Sequence, residues 1–573
     1  MLAIVRFRIY LSLKVYRMKK TGLILLSILL TTALVNAQSL PDSLAKQVDL
    51  LFQKYATPNT PGCVVGIVRH DSLLYAKGYG LADLEHQVPN TPESIYYMCS
   101  VSKQLTGYAI ALLARQGKLK LDDDMHIYLP WMPDFGHRIS VRNLLNHTSG
   151  IRDDIGLAVI AGLPPDGMLT QELALELLKK QRTLNFPPGE KFSYSNSNYV
   201  LLAEIVRAVS GESFRSFTSG HIFQPLGMTV SRFIDDNQEL VTNRVASYTS
   251  GDGKLFKNSY QNVYTLGDGG LFTSVADMAH WVMNFYEPRA GDMQTIALLT
   301  EKGRLNDGRE IPYASGINVN TSRGWVQYVH NGGLAGFRTI IAVYPELRTG
   351  FIVFGNSGNN DIYGEINQLA TLFIPDKRQK TAASPTMRRD SAVAELKTPD
   401  EFQRLTGNYI AENGYRLRFE IRDKRLWLNG TTLLVNDSAL HFSPLSNPAV
   451  HYDFHQTAVA VGVSLYSPAL SRPIYLERTK DVNPSDQLLQ GYTGTYTCPE
   501  LDCQYRIEFR DHQLYFTNAA HLPAKITLLG TDHLLSDGGL DHVVVIRDKK
   551  GRISGFELNS GEMMHLRFAR TSP

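Results

Sequence analysis

An internal repeat near the C terminus constrains this chain more than any other feature. Leu405-Thr406-Gly407-Asn408-Tyr409 recurs as Tyr492-Thr493-Gly494-Thr495-Tyr496. Each copy is followed by an alternating run (415–421 or 505–509) and then by a second apolar run (426–428 or 514–516). The charged turns match as well, Arg422-Asp423-Lys424 against Arg510-Asp511-His512. Alternation with a period of two lines one face of a strand with apolar side chains. Two small all-β units, up-and-down barrels or half-barrels, are therefore expected over residues 401–483 and 484–573.

A chain of 573 residues is too long for one ordinary domain. Residues 376–400 hold few large apolar side chains and read as a linker. Upstream of them, apolar spacing predicts a helix over 39–58. Strands Cys63–Arg69 and 73–79 form a hairpin signal around His70-Asp71-Ser72. Helical patterns dominate from about 100 to 225, and strands return at 325–330, 337–344 and 351–354, followed by a helix over 362–373. Strands at both ends with helices between them describe one α+β domain over 38–375, its terminal segments completing a single antiparallel sheet.

Residues 1–37 carry six basic residues and no acidic one. Met18-Lys19-Lys20, an apolar run from Gly22 to Val35 and the small residues of Val35-Asn36-Ala37 read as a signal peptide, so an exported, periplasmic or secreted protein is expected. Without that segment Lys plus Arg fall from 58 to 52 against 55 Asp plus Glu. No dense basic block remains to argue for nucleic-acid binding, and no later segment is long and apolar enough for a membrane span. Four cysteines make no disulfide framework. Cys498 and Cys503 could bridge one loop, whereas Cys63 and Cys99 read as reduced core residues.

Three short elements carry chemistry. Ser100-Val101-Ser102-Lys103 opens an apolar helix that runs towards Gly117. Residues three apart share a helix face, so the lysine amine reaches the serine hydroxyl, and the helix N-terminus favours charge developing on that oxygen. A serine hydroxyl needs such a base to attack at neutral pH. Ser43-Leu44-Ala45-Lys46 fits the same pattern and reads as an exposed helix face. The second element is Tyr194-Ser195-Asn196, delivered by the turn-rich Phe186-Pro187-Pro188-Gly189 stretch; Tyr260-Gln261-Asn262 is its decoy. Tyr194 could share a proton with Lys103, and Asn196 could offer its amide to a substrate carbonyl. The third is His330-Asn331-Gly332-Gly333 at the end of an expected strand, where glycines let a substrate approach. There Gly333 N–H could join Ser100 N–H in an oxyanion hole.

Ser-x-x-Lys, Tyr-x-Asn and His-x-Gly in that order resemble the serine β-lactamase and penicillin-binding superfamily. The likeness is to its class C β-lactamase-like branch of D-alanyl-D-alanine carboxypeptidases, D-stereospecific aminopeptidases and esterases. It extends over about residues 40–375 and includes Leu144-Leu145-Asn146-His147-Thr148-Ser149-Gly150 and Gly269-Gly270-Leu271-Phe272-Thr273-Ser274, read as scaffold with His147 fixing a loop. The resemblance implies a β-lactamase/transpeptidase-like domain with Ser100, Lys103 and Tyr194 as catalytic residues. Asn196, His330 and Gly332 would bind substrate, and Ser100 and Gly333 would bind the oxyanion. The paired C-terminal units resemble the lipocalin-like barrels of the D-aminopeptidase group. Where many relatives have Lys-Thr-Gly this chain has His330-Asn331-Gly332, which weakens the case for a substrate carboxylate and favours peptidase or esterase action over β-lactam hydrolysis.

No His-Glu-x-x-His, paired Cys-x-x-Cys or Gly-x-Ser-x-Gly motif competes, so no metal or cofactor is expected. The expected partner is a small peptide, amide or ester substrate; oligomeric state is open. The rival readings are a β-lactamase in the strict sense and a degenerate binding protein for peptide or glycan.

Overall fold

The computed structural model describes residues 40–250, 255–377, 396, 402–438, 440–456, 461–467, 473–479, 482–530, 532–536 and 542–572. The expected signal peptide and most of the expected linker lie outside these residues. Among the described residues no helix is long and apolar enough to cross a membrane.

The two ends of the N-terminal α+β domain meet in one antiparallel sheet. Strands β1 (Cys63–Arg69) and β2 (Ser72–Tyr79) form the expected hairpin. β3 (Asn318–Ser322), β4 (Trp325–Leu334), β5 (Phe337–Tyr344) and β6 (Thr349–Gly355) complete it in the order β3-β4-β5-β6-β1-β2. β1 and β6 lie inside the sheet and are covered on both faces, which is why they read as continuous apolar runs. Helices α1 (Asp42–Phe52) and, at the far end of the domain, Ile362–Phe373 pack Val48, Phe52, Ile366 and Leu369 on one face, against Val65, Ile67 and Val353. The other face receives the helical layer, and Gly66 makes the room: a Cβ there would lie 2.4 Å from Val275 Cγ1. At the centre of that layer is α2 (Ser102–Arg115), buried from Ser102 through Leu113 and packed on α3 (Asn196–Ser210). A helix covered all round is a core helix, rigid enough to anchor a site.

The repeat folds as two closed eight-stranded barrels, running from Gly407–Ala411 to Ile474–Arg478 and from Gly494–Cys498 to Met563–Ser572. The last strand of each pairs with its first. The repeated residues have repeated jobs. Tyr409 Oη donates to the Leu405 carbonyl at 2.9 Å and Tyr496 Oη to the Tyr492 carbonyl at 2.7 Å. Thr406 and Thr493 each donate to a carbonyl three residues back at 2.8 Å. Gly407 and Gly494 hold φ of 130° and 143°, open to glycine and strained for other residues. Asp423-Lys424 and Asp511-His512 are left-handed pairs, as tight hairpin turns require.

The second barrel docks on the α+β domain through Arg152, whose side chain is fully buried. Arg152 donates to Gln181 Oε1 and Thr183 Oγ1 within its own domain, and to Glu500 and the Met564 and His565 carbonyls of the barrel. Asn185 donates to the Glu562 carbonyl at 2.6 Å and accepts from Met564 N–H at 2.8 Å. One sequence expectation needs correction here. β4 does not end at residue 330 but runs on through Leu334, because Asn331, Gly332, Gly333 and Leu334 pair with Ile340, Thr339, Arg338 and Phe337 of β5. Cys498 and Cys503 are free thiols facing each other across a hairpin.

Candidate active site

Ser100 lies in a 3-10 turn (Cys99–Val101) that leads directly into α2. Cys99 has a φ of 49°, a left-handed conformation costing about 1–3 kcal/mol in a non-glycine residue. β4 and β5 hold that turn in place. Thr339 Oγ1 donates to the Met98 carbonyl at 2.8 Å. Gly332, expected beside the substrate, instead faces this turn: a Cβ on it would lie 2.6 Å from the Met98 carbonyl oxygen and 2.8 Å from Cys99 Cβ. Gly333, one residue on, is exposed. The His-x-Gly-Gly stretch thus works as a close-approach strand beside the serine.

Lys103 is completely buried, and its ammonium group faces three acceptors. Nζ lies 3.2 Å from Ser100 Oγ, 2.8 Å from Asn196 Oδ1 and 2.9 Å from the Asp268 carbonyl. Two of these partners are amide oxygens that can only accept. A neutral amine would spend both its hydrogens on them, leaving its lone pair directed at Ser100. Ser100 is therefore the one partner whose role can invert, accepting from the ammonium and donating to the amine.

Asn196 begins α3, and Asp153 orients it. One amide hydrogen of Asn196, expected to reach a substrate carbonyl, goes to Asp153 Oδ2 at 2.9 Å, which also accepts the Asn196 backbone N–H at 2.7 Å. This leaves Oδ1 to Lys103. Asp153 was not singled out from sequence, although it follows closely on the Leu144–Gly150 stretch that was.

Tyr194 is half-buried, with its ring centroid 4.9 Å from Lys103 Nζ. Its hydroxyl makes no hydrogen bond to another described residue. The ring is boxed by His147 at 4.3 Å, Tyr313 at 6.1 Å and His330 at 6.5 Å. His147 does fix a loop, accepting the Ser195 N–H at 3.2 Å while stacking under Tyr194. His330 is buried and both ring nitrogens are engaged, with the Tyr313 hydroxyl at 2.9 Å and the Asn331 carbonyl at 2.7 Å. His330 thus meets Tyr313 and its own strand through both nitrogens, beside the Tyr194 ring. Burial, with the Lys103 charge adding to it, pushes the His330 imidazole down to about 3. The same causes hold His147 well below the ordinary range, so both rings are neutral at pH 7. Tyr313 is a second residue that sequence reading missed.

The decoys lie elsewhere. Ser43 and Lys46 are exposed on α1, and Tyr260 is exposed while Asn262 caps carbonyls of the 165–167 loop. Where the catalytic domain meets both barrels, a cavity of about 670 Å³ is lined by Lys191 and Ser193, by Glu412 and Tyr475 of the first barrel, and by His542 and Glu557 of the second.

A buried lysine on an internal helix, a serine one turn before it and a close-approach strand beside them define a serine–lysine type of nucleophilic site. The Beta-lactamase family model matches residues 48–372, and the chain belongs to that family. D-aminopeptidase of Brucella anthropi is 31% identical over 327 residues, 56% of this chain and 62% of that protein. The match therefore spans less than two thirds of that relative's length. D-aminopeptidase of Gluconobacter oxydans is 26% identical over 448 residues, 77% of this chain and 80% of that protein. The octameric penicillin-binding protein homologue from Pyrococcus abyssi shares the fold, with a TM-score of 0.50, 20% identity and coverage of 87% of this chain and 98% of its own.

Proposed function

We propose that the protein is an exported serine hydrolase that cleaves amide bonds through an acyl-enzyme, with peptides or amides of D-amino acids as its substrates. The observation that carries this reading is the contact between Lys103 Nζ and Ser100 Oγ, with the other two lysine partners fixed as acceptors. Ser100 Oγ attacks the carbonyl carbon while its proton passes to the Lys103 amine. The oxyanion rests on the N–H groups of Ser100 and Gly333. The amine leaving group departs with a proton relayed from Lys103 through Tyr194, whose hydroxyl makes no hydrogen bond to another described residue. Water then attacks the ester, and Lys103 takes the proton of the water and returns it to Ser100 Oγ as that oxygen leaves the acyl carbon.

The D-aminopeptidase name of the curated relatives supports the substrate class. The neutral, occupied His330 supports it as well, since its ring offers no charge to hold a free C-terminal carboxylate. Export rests on the basic-then-apolar pattern of residues 18–37. Hydrolysis of D-alanine and L-alanine p-nitroanilides, D-Ala-D-Ala peptides, short esters and nitrocefin tests the reading. Turnover of the D-anilide at least tenfold above the others supports it. Turnover of esters or nitrocefin alone contradicts the substrate class.

A further inference from the structure

Three metal-binding side chains stand together on the outer wall of the first barrel. Phe442, Tyr452 and Phe454 point into the barrel core, so by alternation His441, His451 and Asp453 on the same strands point outwards. The register sets His441 directly opposite Asp453, and His451 precedes Asp453 by two residues on the same face. One donor atom from each of the three lies within 4.8 Å of the other two. His441 Nδ1 and Asp453 Oδ1 are hydrogen-bonded. The two imidazole rings are 4.6 Å apart between centroids, and His451 is stacked on Tyr466 at 4.6 Å with 9° between planes. Asp437 Oδ2 lies 3.9 Å from His441 Nε2. All three donors are partly exposed, which leaves an entry path from solvent.

We propose that His441, His451 and Asp453 form a binding site for a divalent transition-metal ion of the zinc type. Two imidazoles and a carboxylate are a donor set that zinc, copper, nickel and cobalt accept and that magnesium and calcium do not prefer. Converging imidazoles distinguish this group from the many acidic clusters on protein surfaces. Zinc–nitrogen and zinc–oxygen bonds near 2.0–2.2 Å put tetrahedral donors about 3.3 Å apart, so the side chains close in by about 1.5 Å at most. On binding, one nitrogen of each imidazole and a carboxylate oxygen of Asp453 take three positions, and water fills the fourth. Tyr466 fixes the His451 ring and Asp437 flanks His441, the kind of support that orients metal ligands. The ion joins the strands His441–Pro444 and His451–Gln456 and stiffens this wall of the barrel. The sequence conceals the site because its ligands are 10 and 2 residues apart, with no zinc-motif spacing.

The test uses the full chain stripped with EDTA and dialysed against zinc chloride at pH 7.5, with bound metal counted by mass spectrometry. Wild type is expected to hold one zinc ion per chain at micromolar free metal, and His441→Ala/His451→Ala to bind at least tenfold more weakly. His512→Ala, which removes a histidine paired with Asp486 on the other barrel, should leave the stoichiometry unchanged. Cobalt(II) gives a second readout: visible d–d bands in wild type that Asp453→Asn shifts or abolishes, whether or not the double variant folds. Absence of zinc binding by wild type below about 100 μM, or cobalt bands insensitive to Asp453→Asn, overturns the proposal. So does zinc that survives the double variant and is lost in His533→Ala, which would place it on the His533–His542 pair.

Discussion

Asp153 Oδ2 accepts both the backbone N–H and the side-chain amide of Asn196, at 2.7 and 2.9 Å. This double bond fixes which end of the amide faces Lys103. Asp153→Ala frees the amide to flip and to present hydrogens to the Lys103 amine in place of an oxygen. Turnover is expected to fall at least tenfold, about 1.4 kcal/mol of barrier or more. Asp153→Asn, which keeps one acceptor, should retain more activity than the alanine variant. Equal turnover in Asp153→Ala and wild type would separate Asp153 from the lysine.

The two glycines of β4 should respond differently to alanine. A Cβ on Gly332 meets backbone at 2.6 Å, whereas one on Gly333 meets only Arg338 Nη1, at 3.5 Å. Gly332→Ala is expected to destabilise by about 1–3 kcal/mol, since the turn before Ser100 must move. It should also slow active-site labelling. Gly333→Ala should stay near wild-type stability. Urea midpoints for the two variants check this ordering.

His330 ties stability to pH. Its folded imidazole is neutral down to about 3, whereas the unfolded one titrates near 6.5. The stabilisation is fully present above pH 6.5 and is lost as pH falls from there towards 3, because the unfolded chain gains a proton that the folded one refuses. The slope from one such group is up to about 1.4 kcal/mol per pH unit, and His147 adds in the same direction. His330→Gln, which can keep a bond to Tyr313, should flatten the decline of the urea midpoint between pH 7 and 5. An unchanged slope would contradict the buried neutral histidine.

Arg152→Met leaves Glu500, nearly buried itself, without its cation and removes one of the ties to the second barrel. Removing one member of a buried pair typically costs about 3–5 kcal/mol. The barrel is expected to become a separate target for limited proteolysis in the variant and to remain protected in wild type.

The parts of this molecule that announce themselves locally were legible in the sequence. Ser100 and Lys103 are one helical turn apart, and the strands around residues 63–79 and the helix at Ile362–Phe373 follow from periodicity. The barrel repeat was legible because a Tyr, a Thr and a Gly do the same work twice. Asp153 and Tyr313 were not, since each acts through a partner that only the fold brings near: Asn196, 43 residues away, and His330, 17 residues away. The end of β4 was misread because Gly332-Gly333 signals a turn locally, while pairing with β5 overrides it. The two hydrogen bonds of the His330 ring were likewise not legible, because Tyr313 meets it only in the fold.

The central claim is that Ser100, held against the Lys103 amine, is the nucleophile. Fluorophosphonate labelling followed by peptide mapping tests it most directly. Wild type should carry one adduct, on the peptide containing Ser100, and both Ser100→Ala and Lys103→Ala should lose it, while Ser43→Ala labels like wild type. An adduct that persists in Ser100→Ala, or that maps to another serine, would contradict the account.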